Sequence, residues 1–404
     1  MENIRNIALI GASGAGKTSL AEQMLYNAKA TTRIGKVEDG STVMDFNAEE
    51  IEKGMSMSLA LASLTWKKNK INILDTPGYA DFCGEQIAAS IVAENLLFVI
   101  DATSGFEVGL EQALELHAER NNAKAIVVNK MDHEGADFNK IIELIRENSN
   151  INPAPVMIPI GTEKEFKGVV DIVKGKAFID GQVSDIPADM AEIVEQARIS
   201  LMEVVAETRD ELLEKFFEKG ELSDAELVSG LNKAIADGVV IPVFVSSASN
   251  NIAVNELLDA IVEYLPSPAD KSTLEIIDGN ENVEFIASED GELLAYVFKT
   301  ISDPSSGDIA YVRVFSGKLV HGMDIAVSEQ NSKDRVGTID QIMGKNRKDV
   351  HELVAGDMGG LVKLKAAKNF NTLVEVGSDK KYKEVILPTP VYWQSITAIN
   401  QNDE

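Results

Sequence analysis

Short apolar runs and amphipathic stretches alternate along the first third of the chain. Residues 6–10, 71–74, 96–100 and 125–128 are short and mostly apolar, as in strands buried on both faces. Between them, residues 18–28, 84–94 and 107–121 repeat apolar positions at helical spacing. The alternation predicts a mostly parallel sheet with helices on its faces. Such a sheet takes its ligands at the carboxyl ends of its strands.

After Met131 the pattern changes. Asn152-Pro-Ala-Pro155 punctuates the chain, and residues 168–173 and 176–179 read as a hairpin. Residues 189–236 are acidic and helical, with Leu201, Val204, Val205, Leu212, Leu213 and Phe216 at helical spacing. This segment reads as an insertion, because a strand at 241–245 and a helix at 254–265 then complete the first domain before Pro266-Ser-Pro268 stops it. Residues 269–288 are polar and acidic and are expected to form a linker. Beyond them, 293–301, 309–315, 324–327, 335–342 and 361–364 alternate in the manner of strands between glycine-containing turns, and a small barrel is the economical way to remove their open edges. The expected organisation is a domain over 1–268 with an insert at about 156–238, a linker over 269–288, a β-barrel domain over 289–388, and the start of a truncated third domain over 389–404.

Composition narrows the function classes. A length of 404 residues with 45% hydrophobic content exceeds one core, which suits two or three domains. The 65 acidic residues outnumber 38 basic ones for a net charge of −27, which argues against a large basic face laid over nucleic acid, and no DNA partner is expected. Cys83 is the one cysteine and cannot make an internal disulfide, and the first strand begins without the pattern of a signal peptide. The apolar stretches at 96–100 and 239–245 fall far short of the roughly 20 residues that cross a bilayer. The expectation is a cytoplasmic, reduced, monomeric protein with no membrane partner.

Three motifs carry the candidate chemistry. Gly11-Ala-Ser-Gly-Ala-Gly-Lys-Thr18 fits the P-loop pattern between a strand and a helix. The backbone of Gly11, Ala12, Ser13, Gly14, Ala15 and Gly16 would cradle phosphates, with Lys17 on the terminal phosphates, Thr18 on Mg²⁺ and Ser19 in the following turn. Asp75-Thr-Pro-Gly78 closes the second apolar run: Asp75 can hold a water on Mg²⁺, and the Gly78 amide can reach a γ-phosphate. Asn129-Lys-Met-Asp132 closes the fourth. Asp132 offers two acceptors that suit guanine and not adenine, the Lys130 stem can lie along the base, and Ser247-Ala248 can give a backbone amide to O6. The expected ligands are GTP and GDP with Mg²⁺. The expected fold class is an α/β P-loop GTPase domain with an inserted α+β subdomain, followed by an all-β barrel domain.

With these motifs the sequence resembles elongation factor G. Asp45 to Met57 (DFNAEEIEKGMSM) resembles the family's first switch, and Pro159-Ile-Gly161 with Phe166-Lys-Gly-Val-Val-Asp171 resembles its inserted subdomain. Leu265-Pro-Ser-Pro268 resembles the end of its nucleotide domain. Ser302-Asp-Pro304, Val314-Phe-Ser-Gly317 and Ala355-Gly-Asp357 resemble its barrel, and Leu387-Pro-Thr-Pro-Val391 resembles the strand entering a third domain. The resemblance implies a GTP-hydrolysing translation factor with the ribosome, its RNA and its proteins, as partner. It implies Ser56 as the switch ligand of Mg²⁺, and Lys17, Gly78 and position 79 as the catalytic group.

Three departures stand out. Tyr79 replaces the family's water-placing His, Ser56 replaces its switch Thr, and Gly14 stands where an Asp is usual. A phenol cannot supply a protonated imidazole, so slow intrinsic hydrolysis is expected. That favours a second reading, a ribosome-protection or regulatory factor that binds GTP and hydrolyses it weakly. Of the smaller features, the four His residues are expected on the surface or partly buried, and Trp66 and Trp393 as packing groups. The basic cluster Lys345-Asn-Arg-Lys348, echoed by Lys363, Lys365, Lys368, Lys380, Lys381 and Lys383, reads equally as a solvated face or a contact to RNA phosphates.

Overall fold

The apolar runs pair as expected in a computed structural model, which describes residues 1–149, 151–303, 307–390 and 392–398. The first unit runs β1 (Ile4–Ile10), α1 (Lys17–Asn27), α2 (Ala48–Lys53), β2 (Ala60–Trp66), β3 (Asn69–Asp75), α3 (Cys83–Val92), β4 (Asn95–Asp101), α4 (Val108–Leu116), β5 (Ala123–Asn129), α5 (Phe138–Asn148) and β6 (Pro153–Pro155). An excursion follows through β7 (Met157–Ile160), β8 (Gly168–Asp171), β9 (Lys176–Ile179), β10 (Gln182–Ser184), α6 (Ala191–Ala206), α7 (Asp210–Lys219) and α8 (Asp224–Ala236). β11 (Ile241–Val245) and α9 (Val254–Tyr264) return to the main body.

The main sheet has the order β2-β3-β1-β4-β5-β11-β6, parallel except for β2, which turns back antiparallel on β3. Parallel strands covered on both faces must be apolar throughout, and Ile7 to Ile10, Leu96 and Val127 are fully buried. The carboxyl ends of β1, β3, β4, β5 and β11 therefore open on one edge, which brings Gly11, Asp75, Asp101, Asn129 and Ser246 together. The excursion makes its own sheet, β10-β9-β8-β7, with Ile160, Val170, Ala177 and Val194 in a separate small core. Its helices share the main core through Leu201, Val205, Leu227 and Leu231. A capping box starts α8, where the Ser223 hydroxyl accepts from the Glu226 amide and the Glu226 carboxylate accepts from the Ser223 amide.

The C-terminal part is all β. β12 (Thr273–Asp278) and β13 (Glu281–Ile286) form a hairpin. They are followed by β14 (Leu294–Asp303), β15 (Gly307–Ser316), β16 (Lys318–Val320), β17 (Asp324–Val327), β18 (Ser332–Arg335), β19 (Ile339–Met343), β20 (Asn346–Val350), β21 (Glu352–Val354), β22 (Met358–Val362), β23 (Thr372–Glu375) and β24 (Lys380–Tyr382). The sheet β18-β17-β23-β14-β15-β22-β19-β20 wraps one core, and the β16–β21 ribbon contributes Leu319 and Leu353 to it.

Several expectations are corrected here. Residues 269–288 are no linker, because β12 and β13 occupy most of the segment, paired with each other, and β12 also pairs with β24. Leu274, Ile276, Val283 and Phe285 alternate with acids, so charge masks a period-two pattern whose turn is Asp278-Gly279. His117 is not a surface group: it is fully buried, packed edge-on to Phe98 at 6.3 Å between centroids. Trp393 is not a packing group, being 76% exposed, whereas Trp66 donates to Asp259 at 2.7 Å. Residues 387–390 form no strand, and Pro304 and Val391 lie outside the described residues.

The barrel meets the first unit where β19 touches β2: Gln341 donates to the Ser63 hydroxyl at 2.6 Å, and the Gly344 amide donates to the Leu61 carbonyl at 2.9 Å. Two further polar joints hold the barrel to the first unit. At the amino-terminal edge of the main sheet, Arg313 pairs with Glu94 at 2.6 Å and also donates to the Gly356 carbonyl, both side chains being buried. Lys70 and Asn72 reach Asp357 at 2.7 and 3.1 Å beside them. The other joint is Lys299 on β14, which donates to the Ser58 hydroxyl and the Leu59 carbonyl and lies 3.5 Å from Glu85 of α3.

Candidate nucleotide site

The P-loop glycines are needed for two reasons. Gly11, Gly14 and Gly16 have φ of 145°, 81° and 92°, which L side chains rarely adopt. A Cβ on Gly11 would strike the Val99 carbonyl, and one on Gly16 would strike the Asn129 carboxamide. α1 then starts at Lys17 with no side-chain cap and no acid in its first turn, so its free amides and dipole face whatever lies at the loop. Ser13 and Gly14 are exposed at the lip, and Ser19 is exposed on α1.

Lys17 is buried and donates to the carbonyls of Gly11 and Ala12 at 2.9 and 2.8 Å. Burial pulls its pKa down to about 8 against the raising effect of Asp75 and Asp45. Thr18 donates to Asp75 at 2.7 Å, and its hydroxyl lies 3.2 Å from that of Ser56. The Ser56 hydroxyl in turn meets Asp45. Burial pushes Asp75 up to about 7, helped by the charge of Asp45, and pushes Asp45 up to about 6 against its bond to Ser56. One oxygen of each carboxylate, Asp75 Oδ1 and Asp45 Oδ2, is buried without a hydrogen-bond partner.

This is a set of hard oxygen donors with unmet acceptor capacity, which fits Mg²⁺. Among the described residues no cluster of three or more His, Cys, Asp or Glu could hold a metal by itself, so the ion would need phosphate oxygens to complete its shell. Gly78 presses on the P-loop: a Cβ there would strike the Ser13 amide and come within 2.7 Å of Lys17 Nζ. Tyr79 follows it, 44% exposed, at the start of the turn Ala80–Phe82.

The base end is already paired. Asn129 donates to the Ala15 carbonyl at 3.0 Å and accepts from the Ser246 hydroxyl at 3.2 Å and the Ala248 amide at 3.1 Å, tying three loops together. The Ala248 amide expected for O6 is thus engaged by Asn129, and Ser247 accepts from the Asn250 amide at 3.2 Å. Asp132 accepts from Asn250 at 2.8 Å through Oδ2, while its Oδ1 is buried and unpartnered. Lys130 has φ of 62° and pairs with Asp101 at 2.7 Å.

Every residue singled out for nucleotide lies along this edge, and four carboxylates join them. Asp45 and Glu50 lie within the switch-like segment 45–57, while Glu22 and Asp101 lie outside all three motifs. Glu22, fully buried in α1, accepts from the amides of Val43, Met44 and Gly35 at 2.6, 3.2 and 3.2 Å. Glu50 accepts from Asn47, Met57 and Ser58 at 3.1, 3.0 and 3.0 Å. Together they fold residues 35–58 against the P-loop. An acid on the apolar face of α1, and the Asn47-x-x-Glu50 capping pattern, were the signals available.

Comparison with known proteins agrees with this geometry. The family model of the elongation factor Tu GTP binding domain matches residues 2–267, and that of elongation factor G domain 2 matches residues 292–376. A crystal structure of a protein from Thermus thermophilus superposes with a TM-score of 0.85 at 29% identity, covering 97% of this chain and 57% of that one. The chain thus spans little more than half the length of that protein. A phosphate cradle, a base loop and a barrel in this order, matched by both domain models, leave one conclusion: the chain belongs to the elongation factor G family of translational GTPases, whose GTP-binding domain it carries.

Proposed function

We propose that the protein acts on the ribosome in the cytoplasm, as a monomer, and that GTP hydrolysis switches its conformation. The division proposed is a GTP-binding domain over 1–268 with its insert at about 156–238, and a barrel domain over 289–388 now joined by the 273–286 hairpin. The observation that carries the reading is the meeting of Lys17, Thr18, Ser56, Asp75 and Gly78 at one sheet edge. Lys17 would leave its carbonyls for the terminal phosphates, the P-loop amides would hold the β-phosphate, and Gly78 would report whether a γ-phosphate is present. Thr18 and Ser56 would ligate Mg²⁺ directly, Asp75 through a water, and the ion would neutralise phosphate charge. Asp132 and the Lys130 stem would hold guanine. Lys345 and Lys348, at the exposed β19–β20 end, with Lys363, Lys365 and Lys368, are offered as contacts to ribosomal RNA phosphates.

Tyr79 supports the second reading, a protection or regulatory factor with weak hydrolysis, because a phenol can hold a water but cannot stabilise charge as an imidazolium does. The test is GTP turnover by the full-length protein with and without ribosomes, in the parent, Tyr79→His and Tyr79→Phe forms. Slow parental turnover that Tyr79→His raises about tenfold or more supports position 79 as limiting. Rapid parental turnover unchanged in Tyr79→Phe sinks that idea, and no ribosome stimulation in any form sinks the ribosomal reading.

A further inference from the structure

Asp101 is the last residue of β4 and the register partner of Asn129, one residue before Lys130. It is 8% exposed, and both of its oxygens are committed. One accepts from the Lys130 ammonium at 2.7 Å, and the other accepts from the amide and hydroxyl of Thr103 at 2.9 and 2.7 Å. Burial alone would raise its pKa, yet the bonds from Lys130 and Thr103 hold it below the ordinary carboxylate value, so it stays an anion. The backbone repeats the connection, since the Ala102 amide donates to the Asn129 carbonyl at 2.9 Å.

Lys130 is placed by this contact. It leaves the sheet with a left-handed backbone, and its Cε lies 3.8 Å from where a Gly16 Cβ would stand. The stem therefore runs from the base loop to the P-loop, with its charged end anchored at Asp101. A lysine free at that end samples many rotamers and gives a base no fixed wall. Anchored at both ends, its methylenes form a flat apolar surface of the kind a purine ring packs against.

We infer that Asp101 is a positioning residue for guanine nucleotide, acting through Lys130 to fix the wall on which the base lies. The inference rests on the reading that Lys130 and Asp132 hold the base. Both Asp101 oxygens are taken up by Lys130 and Thr103, so its effect is equal for GDP and GTP and independent of Mg²⁺.

The experiment is calorimetric titration of the full chain with GDP and GTP, in Mg²⁺ and in EDTA. The variants are Asp101→Asn, Lys130→Met, the double substitution and Thr103→Val, with competition by inorganic triphosphate as the phosphate-only probe. Asp101→Asn is expected to weaken both nucleotides by the same factor, about five- to tenfold, and to leave triphosphate binding alone. In the Lys130→Met background it should cost nothing further. Thr103→Val, which removes only the surface hydroxyl that orients Asp101, should give a smaller loss of the same kind even if Asp101→Asn folds poorly. Equal losses from Asp101→Asn with and without Lys130, no loss at all, or a loss shared by triphosphate would overturn the inference. If Lys130→Met and Asp132→Ala both leave GDP affinity unchanged, the base-site reading fails instead, and the inference with it.

Discussion

The two ends of the nucleotide groove are prepared differently. At the base end, Asn129 has both its groups bonded across three loops, and Lys130 is paired. At the phosphate end, Lys17 is turned onto carbonyls, and Asp45 and Asp75 each keep a buried, unpaired oxygen. An unpaired buried acceptor is costly, and so is a buried carboxylate beside another charge of its own sign, as Asp75 is beside Asp45. The base end thus leaves one buried acceptor, Asp132 Oδ1, without a partner, while the phosphate end leaves two, on carboxylates close enough for the charge of Asp45 to act on Asp75. Under the proposed reading, a base slot braced by the Asn129 bonds would serve GDP and GTP alike. In the same reading, the γ-phosphate and metal would supply the partners that Asp45 and Asp75 lack.

The largest effect should come from breaking the base end. Asp132 faces the groove with one buried unpartnered oxygen, and guanine supplies two donors to it. Asp132→Ala is expected to weaken GDP and GTP by roughly a hundredfold to a thousandfold and to abolish preference over ATP, read by calorimetry with the four nucleotides. Comparable GTP and ATP affinity in the parent would refute the assignment. Next in size is Thr18→Ala, expected to weaken GTP about tenfold in Mg²⁺ and hardly at all in EDTA, because the hydroxyl serves the metal. If EDTA leaves parental GTP affinity unchanged, Thr18 and Ser56 have no metal role.

The contrast also explains what could be read from the sequence. The groups proposed to touch ligand come in contiguous motifs, because each is borne on one strand end and its loop, so Lys17, Asp75, Asn129 and Asp132 are legible in the sequence. Their supports are not. Glu22 reaches residues 35–44, Asp101 reaches Lys130 from a neighbouring strand, and Lys299 reaches Ser58 from another domain, pairings that only the fold creates. Among the elements, β1, α1 and β11 were clear because apolar period and flanking turns agreed. The 273–286 hairpin was lost because acids on its exposed face outweighed the alternation. α5 and β2 went unread, although Ile141, Ile142 and Ile145 do share one buried face.

The smallest expected effect separates two of the barrel joints. Arg313 and Glu94 sit at the amino-terminal edge of the sheet, far from the nucleotide, while Lys299 holds Ser58 and Leu59, two and three residues beyond Ser56. Burial lowers the Lys299 pKa, and Glu85 and Glu50 act to restore it, so the ammonium is held between the end of the switch segment and α3. If this contact helps bring Ser56 to the metal, its loss should be felt only when the metal and γ-phosphate use Ser56. Lys299→Met keeps most of the buried stem and removes the donors. It should weaken GTP in Mg²⁺ about threefold and leave GDP unchanged. Arg313→Met leaves Glu94 buried without its charge partner, which should cost on the order of 3–5 kcal/mol of stability by thermal or urea unfolding, with the ratio of GTP to GDP affinity unmoved. Equal losses for GDP and GTP in Lys299→Met would make that lysine a structural contact, as the Arg313 pair is, with no part in placing Ser56.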